Sequence, residues 1–207
     1  MRLFASALVA IGLLVVAAAS FSAQPADPPK PPRTILIIRH AEKTDDADDV
    51  HLSKKGRERA DALGALFKKT PTRPKPFPSP DFIFATRSSN FSQRPVETVT
   101  PLALTLKLSV NSQYRNQAMD DPPDPKKKAQ RELAEELLSG KYAGKTVLIC
   151  WHHGTIPELA RLLGAADCPK KWKAPVFDRV WQINYDERGQ ASFSDLPQQL
   201  LPGDSAK

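Results

Sequence analysis

A chain of 207 residues with 41% hydrophobic content can hold one α/β domain with a full core, or at most two small ones. Its formal charge of +7 favours anionic partners such as phosphorylated substrates, acidic lipid or nucleic acid. No stacked aromatics or repeated basic motif accompany that charge, which argues against nucleic acid.

The chain opens with Arg2 before an apolar run from Leu3 to Ala19, with small residues ahead of Gln24. That is the pattern of a secretory signal peptide over 1–23, cleaved after Ala19, Ser20 or Ala23; an uncleaved membrane anchor is the competing reading. No membrane contact is expected beyond this segment. Residues 24–33 read as a proline-rich linker, 34–195 as the folded domain and 196–207 as a flexible tail. Export to the periplasm or the extracellular space permits a disulfide between Cys150 and Cys168. A buried strand thiol at Cys150 is the alternative, and both stay open.

Thr34 to Ile38 is a short apolar run without alternation, as in a parallel strand covered on both faces, and it stops at Arg39-His40. The acidic stretch from Thr44 to Val50 lacks the glycine and distal glutamate of a calcium loop and reads as solvated. Ser53 caps a helix predicted over Lys54–Lys68, and proline-rich 71–80 follows as a stiff connection. Asp81 to Ala85 is a second strand with Thr86 to Phe91 as its outgoing loop. Ser92 is the expected cap of a helix running to about Leu104, with Pro95 in its first turn and Arg94 at an anion-favouring N-terminus. Leu106 to Val110 is a short third strand, Tyr114 to Pro125 a polar surface loop, and Lys126 to Leu138 an amphipathic helix closed at Gly140 or Gly144. Thr146 to Trp151 is another buried strand, ending at His152-His153-Gly154, and a helix follows to Leu163. Arg179 to Tyr185 reads as an edge strand, with a last strand at Gln190–Phe193.

If the connections are βα units, His40 with Arg39, the Arg87/Arg94 segment and His152-His153 converge at one end of a parallel sheet, where such folds bind ligands. The fold class expected is a single-domain three-layer α/β sandwich with a mostly parallel central sheet flanked by helices. Ile38-Arg39-His40-Ala41-Glu42-Lys43 resembles the Arg-His-Gly signature of the histidine phosphatase (phosphoglycerate mutase-like) superfamily. Leu52 to Ala60 is similar to that family's Leu-Thr-x-x-Gly-x-x-Gln-Ala segment, Ser92 to Thr98 to its Arg-Ala-x-Gln-Thr helix, and Val147 to Gly154 to its strand ending in His-Gly. Four motifs in the family's order cover roughly 34–185. Ala41 stands where glycine is usual, the Thr86–Arg94 loop is longer than the common form, and no glutamate motif of the mutase type appears between Tyr114 and Leu138.

The resemblance implies a phosphatase: His40 attacks phosphorus and forms a phosphohistidine, Arg39 and Arg94 fork onto phosphate oxygens, and His153 stabilises the transition state. Glu42, Asp120 and Asp121 are the candidate general acids. Arg87 is a candidate substrate contact and His152 a supporting residue near the substrate. His51 reads as structural at the pocket rim. No metal or cofactor is expected, since two guanidinium groups match the charge of the phosphoryl dianion, and the partner is a small phosphorylated substrate. The His-x-Glu of zinc deaminases also matches His40-Ala41-Glu42, but the only cysteines lie eighteen residues apart, which excludes that site. The remaining rival is a module that binds a phosphorylated ligand without turning it over.

Overall fold

In the computed structural model, which describes residues 29–71, 73–115 and 128–205, a six-stranded sheet runs through the molecule in the order β3-β2-β4-β1-β5-β6. The strands are β1 (Thr34–Arg39), β2 (Phe82–Ala85), β3 (Val110–Asn111), β4 (Thr146–Trp151), β5 (Arg179–Tyr185) and β6 (Ala191–Pro197). The first four in chain order are mutually parallel, and β5 and β6 are antiparallel additions. Every residue of β1 and β4 is buried, which is why their sequences show no alternation.

Alternate residues of these strands face two separate cores. Ile35, Ile37, Val147 and Ile149 join Phe84, Trp151 and Trp181 under the helices α3 (Lys128–Leu138) and α4 (Ile156–Leu162). Leu36, Ile38, Leu148 and Cys150 point the other way. They meet Leu63, Val99 and Leu102 of α1 (Lys54–Ala62) with its following 3₁₀ turn (Leu63–Phe67), and of α2 (Arg94–Leu106). The result is a single three-layer α/β sandwich.

Local chemistry explains most boundaries. Ser53 accepts from the Gly56 amide at 3.0 Å and caps α1. A Cβ on Gly56 would fall 2.2 Å from the Glu42 carbonyl oxygen, so only glycine lets α1 seat against the end of β1. Ser92 does not cap α2: Gln93 takes that position without a side-chain bond, and the Ser92 hydroxyl is buried unpartnered. The helix predicted over Lys54–Lys68 tightens to 3₁₀ geometry at Leu63. α2 runs on to Leu106 and ends with Lys107 in the left-handed region (φ 56°), which shortens β3 to two residues.

Two larger departures come from long-range contacts, and the cysteine pairing that the sequence leaves open is decided in the same way. β5 is interior, because β6 pairs along its whole length and takes the edge. Residues 196–205 do not fray: β6 extends to Pro197, Gln198 is buried, and Leu200 packs against the α1/α2 core. Cys150 and Cys168 are both free, one in each core, so the sheet itself separates them and no bridge forms. The leader over 1–23, the first half of the linker (24–28) and the segment holding Asp120 and Asp121 lie outside the described residues.

Candidate active site

The parallel register sets the site. β1 and β4 start in step, Thr34 beside Thr146, and stay so to Arg39 beside Trp151. The next residues, His40 and His152, are therefore lateral neighbours, and the His40 amide donates to the Trp151 carbonyl at 3.1 Å. Their rings meet edge to face with centroids 5.3 Å apart.

Both imidazoles are buried, and burial decides their charge. His40 is held well below the ordinary histidine value by burial first, then by His152, with Arg39 and Arg94 adding to the effect. His40 Nδ1 lies 2.8 Å from the Ala41 carbonyl oxygen, an acceptor, so Nδ1 carries the proton and Nε2 keeps its lone pair. His152 is pushed down to about 3 by burial, then by Arg94, His153 and Arg39. His153 is only half buried; burial lowers it, followed by Arg39 and Lys43.

The two arginines are anchored by backbone carbonyls. Arg39 Nη1 donates to Ala174 and, at 3.2 Å, to Val176, and the guanidinium lies 3.8 Å from the centroid of the Phe177 ring. Arg94 opens α2 and donates from Nη1 to the Asp49 carbonyl at 2.6 Å and from Nη2 to Phe91 at 3.4 Å. In each guanidinium the Nε–H is buried with no acceptor. Burial lowers Arg39 to about 10, opposed by Glu42 and helped by Arg94; burial also lowers Arg94, opposed by Asp49 and Glu97. Both stay cationic at neutral pH.

Thr98 joins α2 to the end of β1. Its hydroxyl accepts from the Ala41 amide at 2.9 Å and donates to the Arg94 carbonyl at 2.7 Å. The Ala41 methyl packs with Leu52 and Ala60, which gives this alanine a place where the resembling motif carries glycine.

Several sequence expectations change here. His152, not His153, faces His40, because the strand ends one residue before the pair and the first of the two lies in register. Glu42 is unsuited to the general-acid role: both its oxygens accept from Arg59, at 2.9 and 2.8 Å, and Lys55 lies 3.7 Å away. Arg59 also forks onto Asp204 at 2.8 and 2.7 Å, so Glu42 belongs to a buried network. Arg87 is exposed at the end of β2, its amide bound to the Tyr114 carbonyl. His51 is exposed and pairs with Glu97 at 2.5 Å, beside a cavity lined by Arg57, Asp61 and Pro101 and apart from the two buried histidines. Phe177 and the carbonyls of 174 and 176 were not foreseen, since a carbonyl donates no signal to the residue type that carries it. Among the described residues no cluster of three His, Cys, Asp or Glu could hold a metal ion.

No protein-family model matches the sequence, and no curated protein sequence does either. Solved structures do match. The protein histidine phosphatase SixA, complexed with tungstate, aligns with a TM-score of 0.54 at 15% identity, over 80% of this chain and 97% of that one. The fold is that of the histidine phosphatases. The alpha-ribazole phosphatase from Shigella flexneri aligns at TM-score 0.50 and 16% identity, over 79% of this chain and 96% of that one. The phosphoglycerate mutase from Plasmodium falciparum does so at 0.50 and 15%, over 86% and 98%. This fold places the carboxyl ends of β1, β2 and β4 and the start of α2 together at one end of the sheet, where His40, Arg39, Arg94 and His152 gather.

Proposed function

We propose that the chain is a phosphomonoesterase that works without a metal through a phosphohistidine on His40. The observation that carries the reading is one buried, neutral imidazole, its Nδ1–H held by a carbonyl, beside two buried arginines whose Nε–H donors lack acceptors. A buried donor left unpaired costs free energy, and phosphoryl oxygens would satisfy both.

In this mechanism Arg39 and Arg94 hold the phosphoryl dianion while His40 Nε2 attacks phosphorus. The N–P bond forms as the bond to the ester oxygen breaks, and the leaving oxygen takes up a proton. Water then attacks phosphorus, loses a proton, and releases inorganic phosphate and His40. Neutral His152 donates an N–H to an equatorial oxygen where charge builds. Asp120 and Asp121 are the carboxyl candidates for protonating the leaving oxygen. Glu42, through Arg59, fixes the segment after His40. A leader over 1–23 would carry this activity out of the cytoplasm, either released or held by the same segment as an anchor.

The test is hydrolysis of 4-nitrophenyl phosphate in EDTA, alongside His40→Ala. Metal-independent turnover that falls about 10⁴-fold or more in the variant is expected. Phosphate binding without turnover at any pH would instead leave a ligand-binding module, and activity abolished by EDTA would overturn this mechanism, in which Arg39 and Arg94 form a cationic cage around the phosphoryl group.

A further inference from the structure

The loop between α4 and β5 brings to the cage a side chain that the phosphoryl chemistry does not use. The Phe177 ring centroid is 6.1 Å from that of His40, with the planes at 60°, and the ring stacks on Arg39. Phe177 belongs to neither core and is only half buried, so packing alone does not account for it. Its loop is held firmly. Trp172 Nε1 donates to the Val176 carbonyl at 2.8 Å, the Trp172 ring lies tilted at 40° against Trp181 with centroids 4.9 Å apart, and buried Asp178 accepts from Ser205.

A second ring stands on the other arginine's loop. Phe91, whose carbonyl accepts from Arg94, is 56% exposed. Each cage arginine is therefore tied to a segment that leaves an aromatic ring uncovered. The interior of the site is cationic and polar, and two phenylalanines stand on the segments that anchor its arginines. In-line displacement sends the leaving oxygen away from the attacking nitrogen, so the leaving group must pass the rim. A polyhydroxylated leaving group there would give up water hydrogen bonds against carbon surface, whereas an aromatic ring pairs with phenylalanine edge to face or offset.

Resting on the phosphatase reading for the phosphoryl site, we propose that Phe177, with Phe91, forms a leaving-group subsite. It selects phosphomonoesters that carry an aromatic ring within a bond or two of the ester oxygen. An aromatic pair of this kind is worth roughly three- to tenfold in affinity.

The experiment compares benzylphosphonate with cyclohexylmethylphosphonate by calorimetry, so that size is matched and only aromaticity differs. It is run beside hydrolysis of benzyl and cyclohexylmethyl phosphates, whose leaving alcohols are of similar acidity. The full chain should favour the benzyl ligand at least threefold in both, Phe177→Leu should bring the ratio near one, and Phe177→Tyr should keep it. Phe91→Leu, at an exposed position, should lower the ratio in part and serves if Phe177→Leu fails to fold. A wild-type ratio of one, or a ratio untouched by both leucine variants, overturns the subsite. Preferential binding of benzylphosphonate without hydrolysis of either ester would leave the subsite standing and remove the phosphatase reading. Failure of both phosphonates to bind would remove both.

Discussion

Two adjacent histidines, His152 and His153, differ here by a single step along the chain, and that step decides what each can do. The first lies next to His40 across the β1/β4 register and is buried; the second is only half buried, with Arg39 and then Lys43 as its charged neighbours. With its ring buried and held to about 3, His152 is a neutral N–H donor across the working pH range. His152→Ala is expected to lower kcat about 100- to 1,000-fold, the usual loss for one transition-state donor, and His153→Ala less than tenfold. Steady-state kinetics on 4-nitrophenyl phosphate separates them, and an equal or larger loss at His153 would make His153 the transition-state donor. The motif itself was legible, because a histidine pair at a strand end is visible in any reading. Which member faces the nucleophile was not, because it depends on where the neighbouring strand ends.

At the scale of elements, α1, the end of β1 and the C-terminal segment meet on one guanidinium. Arg59, only 2% exposed, stands where the resembling motif carries glutamine, and it forks onto Glu42 on one side and Asp204 on the other. Gln198 adds a third acceptor at 3.2 Å, and Leu200 and Leu201 amides donate to Asp204. Burial alone would raise Asp204, but the Arg59 hydrogen bonds and these amides hold it down at about 2. A carboxylate depressed in the folded state stabilises above its unfolded value near 4, and that contribution fades as pH falls toward 2. Arg59 keeps Glu42 but loses the second of its two carboxylates, so Asp204→Asn should cost about 1.5 to 3 kcal/mol at neutral pH. The same variant should flatten the stability loss between pH 4 and 2, measured by urea unfolding. An unchanged profile would mean that the C-terminal segment is only a cover.

Across the whole molecule, the site is costly to protonate, and that shows in the global stability. His40 and His152 are both pushed down on folding, while the unfolded chain titrates near 6.5. Below 6.5 the unfolded state therefore binds protons that the folded state refuses, and stability falls with pH. The slope is roughly 1.4 kcal/mol per pH unit for each histidine, between about pH 6.5 and 5. Unfolding free energies at pH 7, 6 and 5 should show it, and His152→Asn should remove about half the slope. A flat profile in wild type would mean that the two rings titrate normally.

The apolar runs at 34–38, 82–85 and 146–151, the helix faces and the order of the four motifs are properties of the sequence itself. Each is written in neighbouring residues, so the parallel sheet and the mouth it forms could be read directly. Other features required the folded chain. The interior place of β5, the separation of the two cysteines, the capture of Glu42 by Arg59, and the loop that brings Phe177 onto Arg39 all depend on partners far away in sequence. Several of these partners are backbone carbonyls, which every residue carries alike. Local periodicity fixes which face a side chain takes, but register and backbone acceptors fix what it meets there, and they exist only once the strands have paired.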